Sequence, residues 1–216
     1  MKAYKLIIFD WDGTLMDSVA KIVECMQQAA VECDMPVPSA EQVGNIIGIS
    51  LHPAVAQLFG IDDSEQVEAI VTAYKQAYIA KDQRPCPLFA GATGLLTALH
   101  TNGQQLAVAT GKARRGLDRA WKHTATGDFF VASRTACEAQ SKPSSDMLEQ
   151  LLAETGFGVH EAVMIGDTVY DMQMAQQLGM DRIGVTYGVH DAERLQAHLP
   201  VAVVDSVPEL QHYLMG

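Results

Sequence analysis

The stretch Lys5-Leu6-Ile7-Ile8-Phe9-Asp10-Trp11-Asp12-Gly13-Thr14-Leu15 decides how this chain reads. Its apolar half has the length and composition of a buried parallel strand. Such a strand delivers two carboxylates, two residues apart, to its carboxyl end, where open α/β sheets place their ligand sites. Two acids so close repel each other unless a cation or an anionic reaction needs them. The four fixed types in Asp-x-Asp-Gly-Thr arise by chance in a chain of this length roughly once in several hundred sequences.

Working outward, apolar strand-like segments recur at Leu6–Phe9, Leu106–Ala109, Phe129–Ala132, Ala162–Ile165, Arg182–Val185 and Val201–Val204. Helical patterns separate the later ones, at Gly91–Thr101, Ala113–Lys122, Ser145–Thr155, Tyr170–Leu178 and Ala192–His198. Pro143 fits the opening of the third of these. Alternating strands and helices predict an α/β fold, a parallel sheet with helices on both faces. Residues Met16 to about Arg84 break the alternation with helix after helix: Ser18–Cys33, Ala40–Ile46, Pro53–Phe59 and Ser64–Lys81. They are expected to form an all-helical insertion leaving the sheet just after the acidic loop. Arg84-Pro85-Cys86-Pro87 reads as its return linker. The expected division is a discontinuous core of residues 1–15 and 84–216, with a helical cap of residues 16–83. An insertion at that point overhangs the end of the first strand, which is the placement of a lid.

Three further signals stand at corresponding ends of later elements. Thr110-Gly111-Lys112 follows an apolar strand and can offer a hydroxyl and backbone N–H groups to a phosphate. Lys142-Pro143 precedes a helix and supplies a point charge. Gly166-Asp167 ends another strand, with Asp171 at the start of the next helix. Combined, Asp10, Asp12 and Asp167 supply hard oxygen ligands suited to Mg²⁺, and Lys142, Thr110 and Gly111 the contacts for a phosphate.

Composition narrows the field. The chain has 216 residues, 48% hydrophobic, and a formal net charge of -11. That charge, with 6% aromatic residues, argues against a nucleic-acid or anionic-membrane binder. No apolar run reaches membrane-spanning length. Lys2 and Lys5 precede an apolar run cut short by Asp10 and Asp12, unlike a signal peptide. The four cysteines form no Cys-x-x-Cys pair, so reduced thiols in a cytoplasmic protein are expected. No zinc-protease helix, nucleophile elbow, dinucleotide loop or P-loop is present.

In its order of motifs, Asp10-x-Asp12-Gly13-Thr14, Thr110-Gly111, Lys142-Pro143 and Gly166-Asp167-x-x-x-Asp171, the chain resembles the haloacid dehalogenase superfamily over essentially its whole length. Within it, the phosphoglycolate phosphatase-like branch with a small helical cap is the most similar. The resemblance implies a Rossmann-like core and Mg²⁺-dependent hydrolysis of a small phosphorylated metabolite through an aspartyl-phosphate. Asp10 would be the nucleophile, and Asp12 the general acid and then base, its backbone carbonyl facing the metal. Lys142 and Thr110 would steady the phosphoryl group. Asp167 would bind Mg²⁺ directly, and Asp171 directly or through water. Dehalogenases of the superfamily lack an acid at the position of Asp12, because a halide leaves unprotonated. Mutases keep it but use a cap histidine, where this chain has Ile22, and an arginine near Gly48-Ile49-Ser50-Leu51. Phosphomutase and pyrophosphatase remain the alternatives within the superfamily. A receiver-type signalling module or a non-catalytic phosphate-binding protein is the alternative outside it. Asn45, Ser50 and His52, with Lys21, are the polar candidates for cap contacts to substrate. The oligomeric state is not legible in the sequence.

Overall fold

The computed structural model describes residues 3–81 and 85–216. The expected boundary of the insertion at 83/84, Arg84 of its return linker, and Lys2 lie outside the described residues. The core is a six-stranded parallel sheet in the order β3-β2-β1-β4-β5-β6. The strands are β1 (Leu6–Phe9), β2 (Gln105–Thr110), β3 (Phe130–Thr135), β4 (Ala162–Gly166), β5 (Asp181–Val185) and β6 (Ala202–Val204).

Every residue of β1 is buried, as a strand covered on both faces requires. Alternation divides them. Ile7 and Phe9 join the layer beneath α5 (Ala92–Thr101), α6 (Arg114–Thr124) and α10 (Val207–Met215), with Leu95, Leu99, Leu117 and Leu210. Leu6 and Ile8 join the opposite layer, with Met147 and Leu151 of α7 (Asp146–Thr155) and Met174 of α8 (Val169–Gln177). A short helix α9 (Ala192–Gln196) links the last two strands.

Between β1 and β2 lie α1 (Val19–Glu32), α2 (Ala40–Gly44), α3 (Leu51–Phe59) and α4 (Ser64–Ala80). They bury a hydrophobic cluster of their own, including Ile22, Met26, Val43, Val55, Ile70 and Val71. Local chemistry sets their ends. Ser39 and Gln42 form a reciprocal capping box at α2, and Asp63 accepts from Glu65 and Gln66 N–H at α4. The outgoing and returning chains run side by side: Asp17 N–H donates to Pro87 O and Phe89 N–H to Leu15 O. Among the described residues no helix is long and apolar enough to cross a membrane.

Two expectations need correction, and one helix is additional. The third strand starts at Phe130, because Gly127–Phe129 forms a 3-10 turn, and it runs on to Thr135. Pro143 does not open α7: Ser145 is the N-cap and the helix begins at Asp146. The final helix α10 was not expected; Ser206 caps it by accepting from Glu209 N–H.

Candidate active site

Phe9 of β1 pairs with Val108 of β2 and Ile165 of β4. Continuing that register by one residue sets Asp10 level with Ala109 and Gly166, so Thr110 and Asp167 stand one step beyond it. Asp10 is anchored there by its N–H to Ile165 O, 2.9 Å. Gly13 turns the chain with φ +85°, and a Cβ on it would collide with the Asp167 carboxylate. Only glycine fits this approach.

Three carboxylates converge. Oxygens of Asp10, Asp167 and Asp171 lie within 4.8 Å of one another, all on buried residues. Each of the latter two is oriented by donors. Asp167 accepts from Thr14 Oγ1 (2.8 Å) and Val189 N–H (2.9 Å). Asp171 accepts from Thr168 N–H (3.1 Å) and Thr168 Oγ1 (2.7 Å), closing the capping box of α8. Lys142, itself buried, reaches two of the three acids: Nζ is 2.6 Å from Asp171 Oδ1 and 2.8 Å from Asp10 Oδ1. Neither Asp10 oxygen receives a well-aligned hydrogen bond.

One buried ammonium cannot balance three buried carboxylates. Burial, with the nearby Asp171 adding to it, pushes the Asp10 carboxyl up to about 7 despite Lys142. Burial, then the charges of Asp10 and Asp171, raises Asp167 well above the carboxylate range. Burial opposes the charge on Lys142, but the flanking Asp10 and Asp171 outweigh it and hold the ammonium above its ordinary range. An all-oxygen donor set, with Asp10 oxygens that lack a well-aligned donor and an excess of negative charge, fits a hard divalent cation such as Mg²⁺.

Asp12 is placed apart from this cluster. Its carboxylate accepts from Ser18 Oγ (2.7 Å) and from Lys112 Nζ, 2.9 Å to each oxygen. Thr110 is buried and its Oγ1 accepts from Lys112 N–H, 3.1 Å. A Cβ on Gly111 would lie 2.5 Å from Gly48 O, so the insertion's backbone rests directly on this turn. Asn45 and Ser50 make related contacts across the two parts. The Asn45 side chain accepts from Arg194 (2.6 Å) and its carbonyl from Tyr170 Oη (2.7 Å), while Ser50 N–H donates to Ser141 Oγ (2.9 Å). His52 is on the exposed surface, 2.7 Å from Glu68.

Residues 7–185 match the family described as haloacid dehalogenase-like hydrolase. The chain is a haloacid dehalogenase-like hydrolase. It is 31% identical over 209 residues to a protein named probable phosphatase IndB from Dickeya dadantii, covering 95% of this chain and 91% of that one. It is 29% identical to a phosphoglycolate phosphatase from Aliivibrio fischeri, over 93% of this chain and 92% of the other. A haloacid dehalogenase-like hydrolase from Streptococcus pneumoniae superposes with a TM-score of 0.85 at 25% identity, covering 99% of each chain.

Several residues of this hydrolase's site were not singled out from sequence. Lys112 carries a readable signal, since it directly follows Thr110-Gly111. Thr14 and Thr168 adjoin the acids that they orient. His190 gave none. It is buried after β5, accepts Val169 N–H on Nδ1 (3.0 Å), and donates its backbone N–H to Asp167 O (3.1 Å). Burial, with Arg194 nearby, pushes its pKa down to about 4, so the ring is neutral and able to accept.

These shifts set a stability profile. In the metal-free hydrolase, Asp10 titrates near 7 against an ordinary value of 3.8. Between those values the folded state holds a proton that the unfolded chain releases, so stability falls as pH rises, by up to about 1.4 kcal/mol per unit. Asp167 acts with the same sign. His190 opposes them between about 4 and its ordinary 6.5, where lower pH favours the unfolded chain. Melting temperature in EDTA should therefore fall from pH 5 to pH 7.5. With saturating Mg²⁺ the carboxylates are held ionised, and the slope should reverse. Identical slopes with and without Mg²⁺ would count against metal binding at this cluster.

Proposed function

We propose that this haloacid dehalogenase-like phosphatase hydrolyses small-molecule phosphomonoesters with Mg²⁺, through an aspartyl-phosphate on Asp10. The observation that carries the reading is Asp10 itself: a buried carboxylate at a strand end, its oxygens without a well-aligned donor, beside Lys142 and two more acids. Asp10, Asp167 and Asp171, with the backbone carbonyl of Asp12, would hold the ion. When bound, Mg²⁺ offsets the negative charge of carboxylates and phosphate so that the two anions can meet.

In the first step an Asp10 oxygen attacks phosphorus, and the ester P–O bond breaks as Asp12 gives its proton to the leaving oxygen. In the second, water attacks the same phosphorus, its proton returns to Asp12, and the Asp10–phosphorus bond breaks to release inorganic phosphate. Thr110, Gly111 and Lys142 hold the remaining phosphoryl oxygens. Residues 16–83 act as the cap over the core of residues 1–15 and 84–216, closing through the contacts of Asn45 and Ser50; His52 lies further along the same helical insertion. A closed cap favours small substrates over phosphoproteins, and the similarity to a phosphoglycolate phosphatase supports phosphoglycolate as one candidate. The four free cysteines suit a reducing cytoplasm.

Phosphate release from a panel of phosphoglycolate, nucleoside monophosphates, sugar phosphates, pyrophosphate and an aryl phosphate tests this. Activity is expected with Mg²⁺ and not in EDTA. Asp12→Asn should depress alkyl esters far more than the aryl ester, whose leaving group needs little protonation, by about 100-fold or more in the ratio. Equal losses on both would remove the proton-transfer role.

A further inference from the structure

Residues 186–191, the loop between β5 and α9, touch both halves of the molecule. On its inner side the loop grips Asp167. Val189 N–H donates to Asp167 Oδ2 (2.9 Å) and His190 N–H to Asp167 O (3.1 Å). The buried His190 ring accepts Val169 N–H (3.0 Å), so the residue two beyond Asp167 is held as well. Gly188 permits this approach: a Cβ there would collide with the Asp167 carboxylate and with the Gly13 carbonyl. The other Asp167 oxygen is held by Thr14 Oγ1, and Tyr187 of the same loop donates to Thr14 O (3.1 Å).

On its outer side the loop meets the helical insertion. Among the described residues packed on the insertion's hydrophobic cluster, Val189 is the only one from the core. Its side chain lies against Gly44, where a Cβ would stand 3.4 Å from Val189 Cγ1. The next residue, Asn45, is tied from two sides. Arg194 of α9 donates to its Oδ1 (2.6 Å), and Tyr170 Oη of α8 to its carbonyl (2.7 Å). Val189 therefore gives its N–H to a carboxylate of the acidic cluster and its side chain to the insertion, at the point where Asn45 fixes the insertion in place.

We propose that Asn45, Val189 and Arg194 are positioning residues for Asp167: the insertion's seat on Val189 sets the loop, and the loop sets the carboxylate that takes Mg²⁺. The inference rests on the reading of Asp167 as a metal ligand and adds to it a coupling between that ligand and the insertion. Hydrogen bonds that orient a ligating carboxylate govern metal affinity, so loosening the loop weakens the site. The coupling is reciprocal, and the bound cation tightens the seat of the insertion. A pure charge effect has the opposite sign at Arg194, because deleting a positive charge favours binding of another cation. The direction of the Arg194 effect therefore separates positioning from charge.

Calorimetric titration of the metal-free protein with MgCl₂ tests this in the native chain, Asn45→Ala, Arg194→Met and the double variant. Both single changes should raise the Mg²⁺ dissociation constant about fivefold or more. The double variant should add little, since the two changes delete one contact. Amide exchange in EDTA supplies a readout without metal: Val189 and His190 N–H should exchange about tenfold faster in Arg194→Met, while the β1 amides keep their native rates. Unchanged affinity in both single variants, tighter binding in Arg194→Met, or native exchange rates at Val189 and His190 would overturn the proposal. Native protein that takes up no Mg²⁺ would overturn the metal reading and this proposal with it. Mg²⁺ uptake indifferent to the variants would overturn this proposal alone.

Discussion

Asp10→Asn should lose Mg²⁺-dependent phosphate release by about 10⁴-fold or more, because an amide oxygen cannot form the covalent intermediate. The same variant should fold at least as well as the native chain in EDTA. Burial and Asp171 already oppose the charged form of Asp10, so replacing that carboxylate removes repulsion from the cluster and leaves Lys142 paired with Asp171. Single-turnover assays with an aryl phosphate, together with thermal melts, check both halves. Turnover within about tenfold of native would end the assignment of Asp10 as nucleophile. A steep loss of stability would mean that the carboxylate has a structural role beyond its ion pair with Lys142.

Lys142→Met should have the opposite balance of effects. Methionine approximates the volume of the aliphatic stem and deletes the one positive charge that pairs with both Asp10 and Asp171 among the described contacts. Removing one partner from a buried charge cluster costs about 3–5 kcal/mol, or roughly 6–20 °C in melting temperature for a chain of this size. Turnover should fall below detection. Mg²⁺ should recover part of the lost stability, since binding to the folded state alone stabilises it. A second change, Lys142→Met with Asp171→Asn, should recover stability in EDTA without recovering activity, because it removes one of the acids left unpaired. A melting temperature for Lys142→Met within about 2 °C of native would show that the three acids do not repel as their burial implies.

Much of this arrangement is legible in the sequence, for physical reasons. A strand buried on both faces leaves a continuous apolar run, and the residue that ends the run is exposed to the site whatever its distant partners. Asp10, Thr110 and Asp167 could each be read from such a run. The last helix was harder: it is short, follows directly on β6, and has Pro208 in its first turn, which mimics a loop. The shifted start of β3 has a similar cause, since Phe129 extends the apolar run of the strand but closes a 3-10 turn with Gly127 and Asp128. Pairings between remote residues are least visible. Lys112 and Asp12 are 100 positions apart, and their contact depends on how the turn after β2 lies against the acidic loop. Asn45 reads as a polar residue that could face substrate, but its side-chain partner is Arg194, at the start of α9. His190 sits in a loop whose local composition says nothing of the α8 N–H group that it accepts.

The paired crossing of Leu15–Asp17 against Pro87–Phe89 bears on how such a molecule can diversify. The helical segment departs and returns through neighbouring points, so its replacement leaves the strand that carries Asp10 and the elements that carry Lys142 and Asp167 in place. The two parts can then be varied under separate constraints. On the proposed reading, changes in the core would act on phosphoryl transfer, while changes in the inserted helices would act on which alcohol portion is accepted. Lys21 and Ser50 belong to the second set, and Asn45, held by Arg194, is where the two sets meet.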